Sequence, residues 1–419
     1  MEKTSLIETP SAKVDQSASR FVRACLRQPV DRTPVWFLRQ AGRYMPEYMA
    51  VRKHHSLLEI CRNPEIAAEV TITAAERLGV DAAIIFADLL LPFTPMGLDF
   101  EFVAGEGPQV HTPIRSLEHI QALRTDRVED LNYVARAIQK VAAHFSGQRT
   151  DGDTLGIIGF CGAPFTLASY MIEGGSSRNY IETKKLMYAS GSTGSRESIP
   201  AAENVVQNLG APFFSVAPER VGYRAQHDRF PAPHLGPSGD GTSNAWSLLM
   251  EKLVTVLVAF AKQQVEAGAD VIQIFDSWAG ALSVTDYRQY CLTPTTELVQ
   301  RVRALGVPVI YFGVDTASLL PTMRETGADV IGLDWRVPLD IGWKAVGQGC
   351  AVQGNLDPIA LFAPDAILKA RVLEILQQAA RRPGHIFNLG HGIVPETPVD
   401  KVIQVVQWIK QHGAEYGAR

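Results

Sequence analysis

Val35-Trp36-Phe37-Leu38-Arg39-Gln40-Ala41-Gly42-Arg43-Tyr44 is the stretch on which the fold turns. Val35 to Phe37 are apolar whichever way they point, as in a strand of a parallel sheet covered on both faces. They run straight into a polar segment carrying two arginines. An open doubly wound sheet would more often place a glycine-rich phosphate loop after its first strand. A barrel enzyme gathers its functional groups at such strand ends.

The same pattern recurs outward along the chain. Further apolar runs are Ala82 to Phe86, Leu155 to Phe160, Asp270 to Phe275, Val307 to Phe312, Val330 to Leu333, Cys350 to Gln353 and His385 to Leu389. Amphipathic stretches separate most of them: Pro64 to Leu78, Val128 to His144, Trp246 to Glu266, Val284 to Leu305 and Pro364 to Ala380. This alternation predicts a parallel sheet with crossover helices. Eight strands make the expected fold class α/β, a single (β/α)8 TIM barrel with its active-site cleft at the C-terminal strand ends. Polar residues and glycines sit just past the runs, as such a cleft requires: Asp88, Cys161-Gly162-Ala163-Pro164, Asp276-Ser277-Trp278, Gly313, Asp334-Trp335, Gly354-Asn355 and Gly390-His391-Gly392.

The chain has 419 residues, 46% hydrophobic and 20% charged, with a formal net charge of -4. That supports one large domain and argues against nucleic-acid partners, which a clear basic excess would mark. No apolar run reaches the roughly 18 residues of a membrane span. Five cysteines are scattered, odd in number and without a CxxC. A reducing cytoplasmic location, no disulfide framework and no structural zinc are therefore expected.

Residues 1–19 are polar and mixed in charge, and are read as a flexible tail; residues 20–413 form the barrel domain. Within it, residues 190–244 are rich in Gly, Pro and Ser and obey neither helical nor strand period. A structureless stretch of roughly 50 residues is unusual inside a compact domain. It reads as a disordered insertion in the crossover between the third and fourth strands. Capping the cleft or joining an interface is the alternative, with Phe213, Phe214 and Phe230 as anchors.

Arg39 and Arg43 sit four apart, a spacing that puts both guanidiniums on one face of a helical turn. Paired arginines suit carboxylate or phosphate recognition; local surface salt bridges are the alternative. Asp88, at the mouth of a buried run, needs partners. It could bind a metal, act as a base, accept several N–H donors or sit in a structural ion pair. His391, between two glycines, can donate at one ring nitrogen and accept at the other, or be merely structural. Tyr170 opens a Met171-Ile172-Glu173-Gly174-Gly175 segment and could equally be a packing residue. Ser277 lacks the GxSxG elbow of hydrolases. No GxxxxGK[ST], HExxH or EF-hand pattern occurs.

Taken together, these segments resemble the uroporphyrinogen decarboxylase family. Arg39-Gln40-Ala41-Gly42-Arg43-Tyr44-Met45-Pro46-Glu47-Tyr48 looks like a family signature. So do Ile84 to Asp88, Gly162 to Leu167, Tyr170 to Gly175, Gln273 to Gly280, Gly332 to Trp335, Gln353 to Pro358 and Asn388 to Gly392. The likeness runs in order from about Phe21 to His412; the 190–244 stretch is the departure. It implies a homodimeric barrel that converts the four acetates of uroporphyrinogen III to methyls, releasing CO2 and coproporphyrinogen III, without cofactor or metal. It implies Asp88 and Arg39 as catalytic, and Arg39, Gln40, Ala41, Gly42, Arg43, Asp88, Tyr170, Ser277 and His391 as substrate-binding. Cobamide-dependent zinc methyltransferases share the superfamily but need a His-x-Cys; here that place reads Tyr311-Phe312-Gly313-Val314. A tetrapyrrole carrier on a decayed barrel is the non-enzyme alternative.

Overall fold

A computed structural model describes residues 18–103, 107–148, 153–191, 245–347 and 349–416. Most of the expected tail and of the 190–244 stretch lies outside the described residues. The strands, in chain order, are β1 (Ala82–Ile84), β2 (Phe100–Val103), β3 (Gly107–Val110), β4 (Gly156–Gly162) and β5 (Val271–Asp276). They continue with β6 (Val309–Gly313), β7 (Val330–Gly332), β8 (Ala351–Gln353) and β9 (His385–Ile386).

Seven of them form one sheet in the order β1-β4-β5-β6-β7-β8-β9, every pair parallel. β4, β6, β7 and β8 are buried along their whole length, which is why they read as unbroken apolar runs. Helices cover the outside, among them Pro64–Leu78, Asn132–Phe145, Ala245–Glu266, Leu292–Arg303 and Asp365–Ala379. The first has an Asn63 cap with Pro64 behind it and ends on Gly79 in the left-handed conformation, the asymmetry expected of helix ends.

The first expected strand differs from expectation. Val35 makes a single parallel bridge to Phe387. Phe387 N donates to Pro34 O (2.8 Å) and Trp36 N to Phe387 O (3.3 Å), while Asp81 N donates to Val35 O (2.8 Å). Residues 34–37 thus touch both edges of the sheet without forming an extended ladder. The reason is local: Pro34 has no N–H, and Val35 N gives its hydrogen to the Asp81 carboxylate (2.8 Å). Asp81 also holds Arg32 (2.7 and 2.8 Å) and Arg20 (3.0 Å), all three side chains buried. This ion cluster fixes the N-terminal face of the sheet, leaving the opposite face for the site.

The antiparallel hairpin β2–β3, with Phe100 opposite Val110, has no counterpart among the runs read from sequence. Its Pro108 and short alternation hide it. It leaves the C-terminal side of β1 and docks on helix Pro164–Glu173 through Val110 N to Gly174 O (2.7 Å) and Ile114 N to Met171 O (2.8 Å). Gly174 (φ +86) is needed there, since an added Cβ would lie 2.7 Å from Pro113.

Candidate active site

The loop after Phe37 is held rigidly. Leu38 N donates to Asn388 Oδ1 (2.9 Å), and the Tyr44 hydroxyl to Gln40 O (2.6 Å). Gln40 itself is buried, its Oε1 accepting Phe37 N at 3.4 Å. Ala41 lines a small separate pocket with Met45, Tyr48 and Val51. Arg39 takes a left-handed backbone (φ +59), and its aliphatic stem lies over Gly392, where a Cβ would fall 2.7 Å from Arg39 Cγ. Neither Arg39 nor Arg43 has an ion-pair partner among the described residues, and both are exposed. The surface-salt-bridge alternative therefore does not describe them.

Asp88 lies beyond β1, whose exit is tied down by Phe86 N donating to the Thr71 hydroxyl (2.9 Å). One Asp88 oxygen accepts Leu90 N at 2.9 Å. Burial pushes its carboxyl up to about 6, against the opposing pull of the Leu90 N–H and the Arg39 charge. Tyr170, on helix Pro164–Glu173, is pushed up to about 12 by burial and by the Asp88 charge. Its ring packs on Trp278 (5.7 Å), which packs in turn on Tyr180 (5.7 Å). His391 lies below the ordinary imidazole range because of burial first and the Arg39 charge second. Both effects favour the neutral imidazole. Arg39, Asp88, Tyr170 and His391 thus share one electrostatic neighbourhood, although they come from four separate segments of the chain. Ser277, half-buried between Asp276 and Trp278, makes no hydrogen bond among the described residues.

Sequence reasoning gave no role to two supporting groups. Asp276, fully buried at the end of β5, accepts the hydroxyls of Thr166 (2.7 Å) and Tyr311 (2.6 Å); Tyr311 meets Tyr287 at 2.6 Å. Thr166 Oγ1 also accepts Trp278 N (3.2 Å), which fixes the ring beside Tyr170. The second group is Asp334-Trp335-Arg336 after β7. The Asp334 carboxylate accepts Arg336 N (2.9 Å), Arg336 Nη1 (3.0 Å) and Asp315 N. Trp335 meets His391 edge to face at 5.9 Å. In the sequence Asp276, Asp334 and Trp335 were marked by their place after a strand and within the family-like stretches, and Arg336 by neither a motif nor a role.

Among the described residues no three His, Cys, Asp or Glu side chains gather as a metal-binding group, and no helix is long and apolar enough to cross a membrane. The five cysteines are buried and unpaired. The arrangement offers two free guanidiniums for carboxylates, one carboxylate of raised proton affinity and a neutral imidazole.

A fold match exists to the methyltransferase from Methanosarcina mazei, with TM-score 0.65, covering 94% of this chain and 97% of that one at 20% identity. Closer in sequence is the uroporphyrinogen decarboxylase of Koribacter versatilis, 55% identical over 398 residues, 95% of this chain and 97% of the relative. That of Chloroflexus aurantiacus is 47% identical over 398 residues, 94% and 96% respectively. The sequence model of the family described as Uroporphyrinogen decarboxylase (URO-D) matches residues 16–195 and 241–412, skipping the middle of the Gly-, Pro- and Ser-rich stretch. The chain belongs to the uroporphyrinogen decarboxylase family.

Proposed function

We propose that this chain decarboxylates the four acetate side chains of uroporphyrinogen III, giving coproporphyrinogen III and CO2 in tetrapyrrole biosynthesis. The observation that carries the reading is the half-buried Asp88 beside the unpaired Arg39. A carboxylate offers about four lone-pair sites, enough for the pyrrole N–H groups of a domed macrocycle. Protonation of a pyrrole carbon gives a cation. The C–C bond to the carboxylate then breaks, CO2 leaves, and the bonding electrons return to the ring. A second proton reaches the exposed methylene while the ring carbon loses the first, so each CO2 released consumes one net proton. The ring is its own electron sink, and the chemistry needs no cofactor or metal.

In this scheme ionised Asp88 stabilises the cation as a fixed counter-charge. Arg39 and Arg43 take substrate carboxylates, Arg39 orienting the one that leaves. Gln40, Ala41 and Gly42 shape the loop between them, and Tyr170, Ser277 and His391 bind further carboxylates. An arginine, with a pKa above about 12, is a poor acid. The proton is therefore assigned to a substrate carboxyl or to water. A closed (β/α)8 barrel belongs to the same proposal, supported by residues 34–37 bonding to both sheet edges. So does a homodimer, supported by exposed Ile359 and Phe362 on the segment leaving β8, and so does a cytoplasmic location, supported by the buried, unpaired cysteines.

The test is anaerobic incubation with enzymatically made uroporphyrinogen and chromatography of the oxidised products. Species with progressively fewer carboxyls, down to four, are expected. Binding without loss of CO2 would instead mean a carrier.

A further inference from the structure

We propose that Arg336 is a third carboxylate anchor of the cleft, holding a side chain of the tetrapyrrole that is not decarboxylated. This rests on the decarboxylase reading above. Arg336 leaves β7 at the same face as Arg39 and His391. The connection is continuous. Arg39 packs on Gly392, His391 stands edge to face with Trp335, and Gly390 lies so close to Trp335 N that any Cβ would collide with it. The Arg336 guanidinium lies over the Trp335 ring at 3.9 Å.

The group is pre-organised. Asp334, fully buried, takes one Nη1 bond and the backbone N–H of Arg336, while the indole supports the guanidinium face. A stacked, tethered guanidinium loses little rotamer freedom when it binds. It is also incompletely used. Its Nε is 3.7 Å from Asp315 Oδ1, too far for a hydrogen bond, and the side chain is 41% exposed. Nε and Nη2 therefore keep donors in the planar fork that matches a carboxylate. Asp334, for its part, has two backbone N–H donors of its own.

Distance from the chemistry decides which carboxylate is held. His391 feels the charges of both Arg39 and Arg336. Asp88 follows β1 and Arg336 follows β7, with β4, β5 and β6 between those two strands in the sheet. Arg336, stacked on the Trp335 that meets His391, thus stands strands away from the carboxylate assigned to the reacting pyrrole. A contact made there is present equally in ground and transition states, so it acts on KM and leaves kcat alone.

The experiment compares wild type, Arg336→Met and Arg336→Lys in anaerobic turnover, with product inhibition by coproporphyrinogen, which keeps only the unreacting carboxylates. Expected for Arg336→Met is about a tenfold rise in KM, kcat within about twofold, and a matching rise in the product inhibition constant. Arg336→Lys retains the charge opposite Asp334 and should recover part of the loss. Unchanged KM in Arg336→Met, or a fall in kcat at constant KM, overturns the proposal. A raised KM with unchanged product inhibition overturns it as well, because the contact would then be to a reacting acetate. If wild type itself releases no CO2, the decarboxylase reading fails, and unchanged product binding by Arg336→Met then fails the anchor separately.

Discussion

Replacing Asp88 with asparagine should make the protein more stable while removing its turnover. Burial lifts the Asp88 carboxyl from 3.8 to about 6. The folded state therefore binds a proton more tightly than the unfolded chain does. With a raised acid pKa, stability is highest below about 3.8 and declines as pH rises to about 6. Two units at about 1.4 kcal/mol each give a ceiling of about 3 kcal/mol of strain carried by ionised Asp88 at pH 7. Asparagine keeps an oxygen for the Leu90 N–H (2.9 Å) and removes the charge. At about 2.1 cal/mol/K per residue over roughly 400 residues, 3 kcal/mol is about 4 °C in Tm. The assay is urea unfolding of both proteins from pH 4 to 8, with turnover measured in parallel. The stability gain should be largest above pH 6 and vanish near pH 4. Turnover should fall further in Asp88→Asn than in Asp88→Glu, which keeps a misplaced charge. A pH-independent difference, or near-normal turnover with asparagine, would refute the argument that the site holds a strained anion for the cation of the reaction.

Three further outcomes concern other parts of the molecule. Gly392→Ala should displace the Arg39 stem, since its Cβ would fall 2.7 Å from Arg39 Cγ; kcat/KM should drop about 10- to 100-fold with the fold intact, and unchanged kinetics would show that Arg39 is not held there. His385 is buried and its imidazole is pushed down to about 4 by burial. Its contribution is complete above pH 6.5 and lost as pH falls towards 4, about 3 kcal/mol, and because Asp88 works in the opposite sense this acid loss should appear in full in the urea unfolding of the Asp88→Asn protein. Joining Ser190 to Asn244 through a short Gly-Ser linker should preserve turnover, because Ser190 Oγ already accepts Trp246 N at 3.2 Å and the flanking helices meet; a folded deletion protein without turnover would place the segment in the site.

The alternation of apolar runs with amphipathic stretches determined by itself that a parallel sheet would form and where its strands would lie. β4 to β8 fall within two residues of the runs read from sequence, and β9 starts with its run but stops three residues short, because burial on both faces leaves a purely local apolar signature. The same local logic put polar residues at strand ends, and Arg39, Asp88, Tyr170 and His391 could be nominated from position and resemblance. What the sequence could not decide was which distant side chains meet. Thr166 and Asp276 are 110 residues apart, Tyr311 and Asp276 35, and Ser190 and Trp246 56. No periodicity encodes such pairs; they depend on how the sheet curves and how its loops close. Val35 shows the same limit on the backbone. Its apolar neighbours said strand, yet a buried carboxylate 46 residues away took its N–H. Arg336 was invisible for a related reason: a charged residue in a loop reads as solvated surface until the fold lays it on Trp335, over a buried Asp334 and beside His391.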